Sequence, residues 1–228
     1  MSERPVLRAI DIWKSYNEGE ESLSILRGAS IEVSAGEVVS ITGPSGSGKS
    51  TFLHVCGVLD PPDRGLVEVA GVDVWNVSES RRARLRNGSL GFVFQFHHLL
   101  EEFTLLENAA MPAMLSGISR REALDRARGL LCEVGLESRA SHFPSQASGG
   151  ERQRAAVARA LILSPAVVLA DEPTGNLDEE NGTRVEELVF HLASRLRQAF
   201  VIATHSTALA ARADRCLVLE AGILSGPR

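Results

Sequence analysis

Cysteine is scarce in this sequence, and the marks of a secreted or membrane-spanning chain are missing. The three cysteines, Cys56, Cys132 and Cys216, are far apart and form no C-x-x-C pair. Scattered thiols in an odd number fit a reducing compartment better than a disulfide framework, and we expect each to be a small core residue. No stretch approaches the ~18 apolar residues of a membrane span, and Met1–Pro5 lacks the apolar run of a signal peptide. If the chain serves a membrane process, we expect another chain to cross the bilayer.

An excess of positive charge is also missing. The formal net charge at pH 7 is −5, whereas nucleic-acid-binding domains usually carry a basic excess, so we expect no nucleic-acid partner. The chain has 228 residues, of which 44% are hydrophobic and 23% charged. This composition is ordinary for a globular protein, and the length is ample for a large core. The sequence has no internal repeat, no low-complexity tract and no linker to an added C-terminal domain.

A glycine-rich stretch fits the phosphate-binding pattern G-x-x-x-x-G-K-[ST]. It follows a short β-branched run, 37–42, and precedes a helix-compatible run, 52–56, which gives the required order of strand, loop and helix. Glycines let backbone N–H groups approach a phosphate closely, and the start of a helix attracts the anion. The predicted ATP-binding residues are Gly43, Pro44, Ser45, Gly46, Ser47, Gly48, Lys49, Ser50 and Thr51. The pattern assigns Lys49 to the β- and γ-phosphates and the Ser50 hydroxyl to Mg²⁺. The alternative is a Gly/Ser turn that happens to contain a lysine.

Strand-like and helix-like patterns alternate along the chain. The early runs predict a small antiparallel sheet, formed by residues 6–13, 23–33 and the hairpin 66–74. Later apolar runs predict buried strands at 90–95, 166–171, 199–204 and 216–220, the last being the final strand. Caps and periodicity predict helices at 78–87, 105–115, 119–134, 148–165 and 178–197. The alternation indicates an α/β core with parallel strands, and the helical stretch of about 96–150 is predicted to be an insertion between two of them.

Polar residues end three of the predicted core strands. These residues are Gln95, the pair Asp171-Glu172, and His205. Ligands of open α/β sheets lie at the carboxyl ends of strands, so we expect these side chains to converge on the phosphate loop. Asp171 is a hard oxygen ligand for Mg²⁺, Glu172 can polarise an attacking water, and His205 can stabilise the γ-phosphate. Gln95 can orient the water and touch the metal. Taken alone, His205 would more often be a helix-capping histidine.

The ordered set of motifs resembles the nucleotide-binding subunits of ATP-binding cassette transporters over essentially the whole chain. The family signature corresponds to residues 148–153, which read Ser-Gly-Gly-Glu-Arg-Gln. The acidic strand and the loop after it, residues 167–178, match the second nucleotide motif and the dimer-contact loop of the family. One departure is Ala147, where the signature usually has Leu.

The resemblance implies a P-loop NTPase of the ABC type as one domain, 1–228, with a mainly parallel core sheet, an antiparallel β subdomain and an α-helical subdomain. It implies ATP and Mg²⁺ as ligands and a head-to-tail homodimer. Tyr16, which alone would most often be a packing aromatic, would stack on adenine. The site residues carried over for the partner subunit are Ser148, Gly149, Gly150 and Glu151, which would face its ATP, and the dimer-contact residues Asn176, Leu177 and Asp178. The assigned metal ligands are Ser50, Gln95 and Asp171, and the catalytic residues are Glu172, His205 and Gln95.

Two longer stretches, 91–100 and 103–112, resemble the ATPase subunits of bacterial lipoprotein-releasing complexes, and the double histidine His97-His98 favours that group. This resemblance implies two integral membrane subunits and a peripheral position on the cytoplasmic face of the inner membrane. ATPases of macrolide- or peptide-type efflux pumps and of cell-division complexes share the motif 174–178 and remain alternatives. A soluble cassette ATPase acting on DNA or ribosomes is a further one, against which the acidic charge and the lack of a second cassette count.

Overall fold

The computed structural model describes residues 4–19 and 21–226. The strands in this range are β1 (Leu7–Glu18), β2 (Glu21–Val33), β3 (Val38–Thr42), β4 (Arg64–Val69), β5 (Val72–Asp73), β6 (Leu90–Val93), β7 (Val167–Asp171), β8 (Ala199–Ala203), β9 (Arg215–Glu220) and β10 (Ile223–Ser225). The α-helices are α1 (Lys49–Cys56), α2 (Glu79–Ser89), α3 (Leu105–Leu115), α4 (Arg120–Glu133), α5 (Gly149–Leu161), α6 (Glu179–Leu196) and α7 (Thr207–Arg212). Among these residues, no helix is both long and apolar enough to span a bilayer.

The main sheet has six strands in the order β10-β9-β3-β8-β7-β6. All neighbouring strands from β9 to β6 are parallel, as the alternating pattern predicts. All five residues of β8 are buried, which agrees with a parallel strand covered on both faces. The prediction that 216–220 is the final strand is wrong, because β10 pairs antiparallel with β9 after a tight turn at Ala221-Gly222. A strand of three residues is too short to leave a period-2 signal.

The second sheet is antiparallel, with the order β2-β1-β4-β5, as predicted. Its first hairpin is longer than the sequence suggests, because the polar stretch after Trp13 continues as a strand to Glu18. Tyr16 pairs there with Leu23, and cross-strand pairing holds residues that have no apolar alternation of their own.

Helices α3, α4 and α5 pack together on one side of the main sheet. The helix over 105–115 is confirmed to the residue, and Ser119 caps α4 as predicted by accepting from the backbone N–H of Glu122. The Glu122 carboxylate does not complete the predicted capping box, because it accepts instead from Arg126 at 2.5 Å. The inward face of α4 is formed by Ala123, Ala127 and Leu131.

Two other sequence expectations are wrong. Helix α2 does not end at Asn87-Gly88 but continues to Ser89 and leads directly into β6; the Asn87 amide donates to the carbonyl of Pro112 at 3.2 Å. Of the three cysteines only Cys56 is buried, Cys216 is half-buried, and Cys132 is exposed. Cys132 follows the buried Leu131 on α4, so its side chain points about 100° away from the buried face.

Candidate active site

The phosphate loop connects β3 to α1 in the predicted order. Gly43, Gly46 and Gly48 all have positive φ angles, of 149°, 76° and 100°. A Cβ atom at Gly43 would lie 2.3 Å from the carbonyl oxygen of Leu219, and one at Gly48 would lie 2.7 Å from Cγ2 of Ile25. The backbone at these two positions therefore requires glycine for both conformation and space. At Gly46 a Cβ would meet no described atom within 4 Å, so this part of the loop is open.

Helix α1 begins at Lys49, and no described side chain caps its start. The first N–H groups of a helix have no partner within the helix, so they are free to bind an anion at this loop. Lys49 itself is 7% exposed. Its Nζ donates to the carbonyls of Gly43 and Pro44 at 3.0 and 3.1 Å, which holds the ammonium against the loop.

Three buried oxygens near the ends of the core strands are unsatisfied. Among the described residues, Oγ of Ser47, Oδ1 of Asp171 and Oε1 of Glu172 make no hydrogen bond; the Glu172 oxygen has only the His205 ring nitrogen nearby, at 3.3 Å. Native proteins rarely leave buried polar atoms unpaired, so these three oxygens indicate a site that is completed by a ligand. Glu172 also has a φ of 45°, a strained conformation for a non-glycine residue of the kind that clusters at active sites.

His205 follows β8 and contacts both Glu172 and Lys49. Its backbone N–H donates to Oε2 of Glu172 at 3.2 Å. Its ring Nε2 lies 3.3 Å from Oε1 of Glu172 and 3.2 Å from Nζ of Lys49. Of the strand-end residues expected to converge on the phosphate loop, Glu172 and His205 contact each other, and His205 reaches Lys49 of the loop. His205 also lines a cavity of about 420 Å³, together with Thr42, Gly43 and Cys216.

Gln95 lies two residues beyond β6 and is exposed. Its side-chain amide donates to Oδ1 of Asn176 at 3.1 Å, and the Asn176 amide donates to the Gln95 carbonyl at 3.2 Å. A Cβ at Gly175 would lie 3.0 Å from Nε2 of Gln95 and 3.4 Å from Cβ of Glu172. Gln95 and Glu172 thus flank the same glycine, and Gln95 contacts the predicted dimer-contact loop directly.

The signature residues form the start of α5. The Ser148 hydroxyl caps the helix by accepting from the backbone N–H of Glu151, and the Glu151 carboxylate accepts from the Ser148 N–H at 2.7 Å, which completes the predicted capping box. This backbone hydrogen bond, together with the Ser148 hydroxyl and Arg139, lowers the pKa of Glu151. A Cβ at Gly150 would lie 2.6 Å from Oδ1 of Asn181. The signature therefore contacts the start of α6, and it is not among the groups that contact Lys49.

The predicted dimer-contact loop leads into α6. A Cβ at Gly149 would lie 3.3 Å from Cδ2 of Leu177, so this loop and the signature are neighbours. Asp178 caps α6 by accepting from the N–H of Asn181 at 2.9 Å, and this bond lowers the pKa of Asp178.

Sequence reasoning missed two residues around Tyr16. The Tyr16 hydroxyl donates to Oδ2 of Asp60 at 2.6 Å, and Lys14 donates to the other carboxylate oxygen at 2.6 Å. The signal in the sequence is weak, because a lysine two residues before a tyrosine and an aspartate before Pro61-Pro62 match no phosphate-binding pattern.

Comparison with known proteins agrees with this geometry. The sequence profile of the family described as ABC transporter matches residues 26–175. The lipoprotein-releasing system ATP-binding protein LolD of Shewanella oneidensis is 51% identical over 97% of this chain and 96% of its own length. LolD of Bordetella pertussis is 52% identical over 96% of this chain and 95% of its own length.

Among solved structures, the ATP-binding cassette MJ0796 in a dimeric post-hydrolysis state with ADP and Pi superimposes with a TM-score of 0.87. It is 34% identical, over 97% of this chain and 99% of the other. The resemblance to cassette ATPases and to lipoprotein-releasing ATP-binding proteins, predicted from the motifs, is thus confirmed, as is the P-loop fold class. The chain belongs to the ABC transporter family.

Proposed function

We propose that this chain is the ATP-hydrolysing subunit of a lipoprotein-releasing ABC transporter. The observation that carries the catalytic part is the contact of Lys49, Glu172 and His205 beside a glycine-rich loop at the start of α1. The choice of transporter is supported by about 50% identity to LolD proteins over nearly the whole chain.

ATP binding uses the phosphate loop and one aromatic side chain. Backbone N–H groups of the loop and the start of α1 receive the phosphates, Lys49 places its charge on them, and Tyr16 stacks on the adenine. The unsatisfied Oδ1 of Asp171 and the exposed Ser50 fit a hard cation. With Gln95 they would hold Mg²⁺, which when bound supplies positive charge against the triphosphate.

Glu172 is the residue that handles the attacking water. Its unsatisfied Oε1 accepts a proton from the water as the oxygen attacks the γ-phosphorus. The bond between the γ-phosphorus and the oxygen bridging to the β-phosphate then breaks, which leaves ADP and inorganic phosphate. Lys49 and His205 stabilise the charge on the γ-phosphoryl oxygens, and Gln95 orients the water.

Two copies of the chain complete each other's sites. The start of α5, with Ser148 and two glycines, presents N–H groups that suit an anion, and the two glycines lie next to Leu177 and Asn181. It faces the γ-phosphate bound by the partner, with Asn176, Leu177 and Asp178 between the two sites. The dimeric state of the MJ0796 structures supports this arrangement. ATP closes the homodimer and hydrolysis reopens it.

The motion is passed to two integral membrane subunits, and the chain is peripheral to the cytoplasmic face of the inner membrane. The helical segment of about 96–150 acts as a subdomain inserted in the core. A groove of about 930 Å³ between α2, β6 and α3 is lined in part by Arg84, Phe92, Phe94 and Leu115. Its apolar surface, which includes Phe94 next to Gln95 in the chain, would receive a segment of a membrane subunit. No nucleic acid takes part.

The test is to purify the chain from detergent-solubilised membranes of its host and to identify the proteins that accompany it. Two different membrane subunits together with bound lipoproteins are the expected result. A single type of membrane subunit with an efflux partner, or division proteins, would keep the ATPase and contradict the cargo. Ribosomes or DNA without a membrane chain would contradict transport altogether.

A further inference from the structure

An ion pair between the buried Lys14 and the half-buried Asp60 lies beside Tyr16. Lys14 is only 7% exposed, and its Nζ donates to Oδ1 of Asp60 at 2.6 Å and to the carbonyl of Pro61 at 2.7 Å. The other oxygen of this carboxylate accepts from the Tyr16 hydroxyl at 2.6 Å. A buried charge is stable only when it is paired and hydrogen-bonded. The ion pair therefore holds the carboxylate in place, and the carboxylate holds the hydroxyl.

The ring of Tyr16 is restrained but remains available. Nζ of Lys14 lies 5.1 Å from the ring centroid, and the residue is still 42% exposed. Burial and the hydrogen bond to Asp60 raise the pKa of Tyr16.

Asp60 also belongs to the segment that leaves α1. Leu59 donates its N–H to the carbonyl of His54 at 2.9 Å, which extends the end of the helix towards Asp60. Three residues on, Asp63 accepts from the N–H of Ser15 at 2.6 Å. Helix α1 begins at the phosphate loop and its eight residues span ~12 Å. A continuous set of bonds thus fixes the Tyr16 ring at a set distance from the loop.

We propose that Asp60 is a positioning residue that holds the Tyr16 ring, through the tyrosine hydroxyl, for stacking on the purine base of ATP. The inference rests on the proposed function, because it takes Tyr16 to be the adenine-stacking residue. Lys14 acts one step further away, by neutralising the carboxylate and keeping it in place.

The experiment measures dissociation constants of the full-length chain by calorimetry, for ATP and for inorganic tripolyphosphate, which has no base. Asp60→Asn should weaken ATP binding about five- to tenfold. Lys14 and Tyr16 each donate to one oxygen of Asp60, and asparagine keeps only one oxygen that can accept. Tripolyphosphate binding should stay the same. In hydrolysis assays KM should rise while kcat at saturating ATP is retained, which a general loss of structure would not produce.

Two further variants separate positioning from damage. Asp125→Asn makes the same exchange at an exposed carboxylate of α4, outside the bonds around Tyr16, so this variant should bind ATP like the wild-type chain. In a Tyr16→Phe background Asp60→Asn should have no further effect, because no hydroxyl remains to be held. If Asp60→Asn does not fold, Tyr16→Phe alone decides: weaker ATP binding with unchanged tripolyphosphate binding is expected.

The inference would be overturned if Asp60→Asn weakened the binding of ATP and tripolyphosphate equally, or if the effects of Asp60→Asn and Tyr16→Phe were additive. Unchanged affinity for ATP in either of these variants would also overturn it. A wild-type chain that binds ATP no better than tripolyphosphate would overturn it too, while leaving hydrolysis intact. Failure of the proposed function would look different, since the wild-type chain would then neither bind nor hydrolyse ATP.

Discussion

Glu172→Gln is the substitution that isolates the proposed chemistry. Glutamine matches glutamate in size, and its oxygen can keep the bond that Oε2 accepts from the His205 N–H at 3.2 Å. The fold and the strained backbone at φ 45° should therefore survive, while the proton acceptor is lost. A positioned general base contributes ~10²–10⁴-fold to rate, or about 2.7–5.5 kcal/mol of barrier. We expect kcat to fall by that factor.

ATP binding and dimer formation should be retained in this variant. The phosphate loop and Lys49 are unchanged, so the affinity for ATP should stay within about threefold, and the closed dimer should accumulate because hydrolysis no longer reopens it. A phosphate-release assay measures kcat, calorimetry measures the affinity for ATP, and light scattering with Mg-ATP measures the fraction of dimer. Glu220→Gln, at an exposed carboxylate at the end of β9, is the matched control. Near-normal hydrolysis by Glu172→Gln would refute the assignment, and loss of ATP binding would show a binding role instead.

Three other predictions follow from the same structure. Lys49→Ala should weaken ATP binding about ten- to hundredfold, because a charged hydrogen-bond donor is removed; unchanged affinity in calorimetry would contradict the role of the loop lysine. Gly150→Val places a Cβ 2.6 Å from Oδ1 of Asn181, so ATPase activity should drop at least about tenfold with ATP binding retained. Gly182→Ala, whose Cβ would meet only an ordinary contact at 3.7 Å, is its control, and equal losses in both variants would count against the signature. The lowered pKa of Glu151 stabilises the fold above its ordinary value of 4.5 and ceases to do so as pH falls through the lower folded value. The difference in unfolding free energy between the wild-type chain and Glu151→Gln should therefore be largest at neutral pH and shrink below pH 4.5, and a pH-independent difference in denaturant titrations would refute it.

Features with a local code could be predicted from the sequence. The phosphate loop is specified by glycines whose φ angles and spacing no other residue tolerates, as Gly43 and Gly48 demonstrate. The capping boxes follow from pairs three residues apart, and the one at Ser148 forms in full. Buried strands such as β8 can be predicted because every residue in them is apolar or small.

Features that depend on distant contacts could not be predicted in this way. Lys14 and Asp60 lie 46 residues apart in the sequence, and no local pattern around either residue predicts their contact. Strand β10 has only three residues, and it forms because its backbone pairs with the edge of β9. The proximity of Gln95 to Asn176 is likewise made by two loops separated by 81 positions, although each residue was a candidate on its own motif.

The central claim is that ATP hydrolysis by this chain drives the release of lipoproteins. The most direct measurement replaces the wild-type chain in its host by Glu172→Gln and follows a labelled outer-membrane lipoprotein in separated membranes. The account predicts that the lipoprotein is retained in the inner membrane when only the variant is present, and that the wild-type chain restores its release. Release at the normal rate with the variant alone would contradict the account.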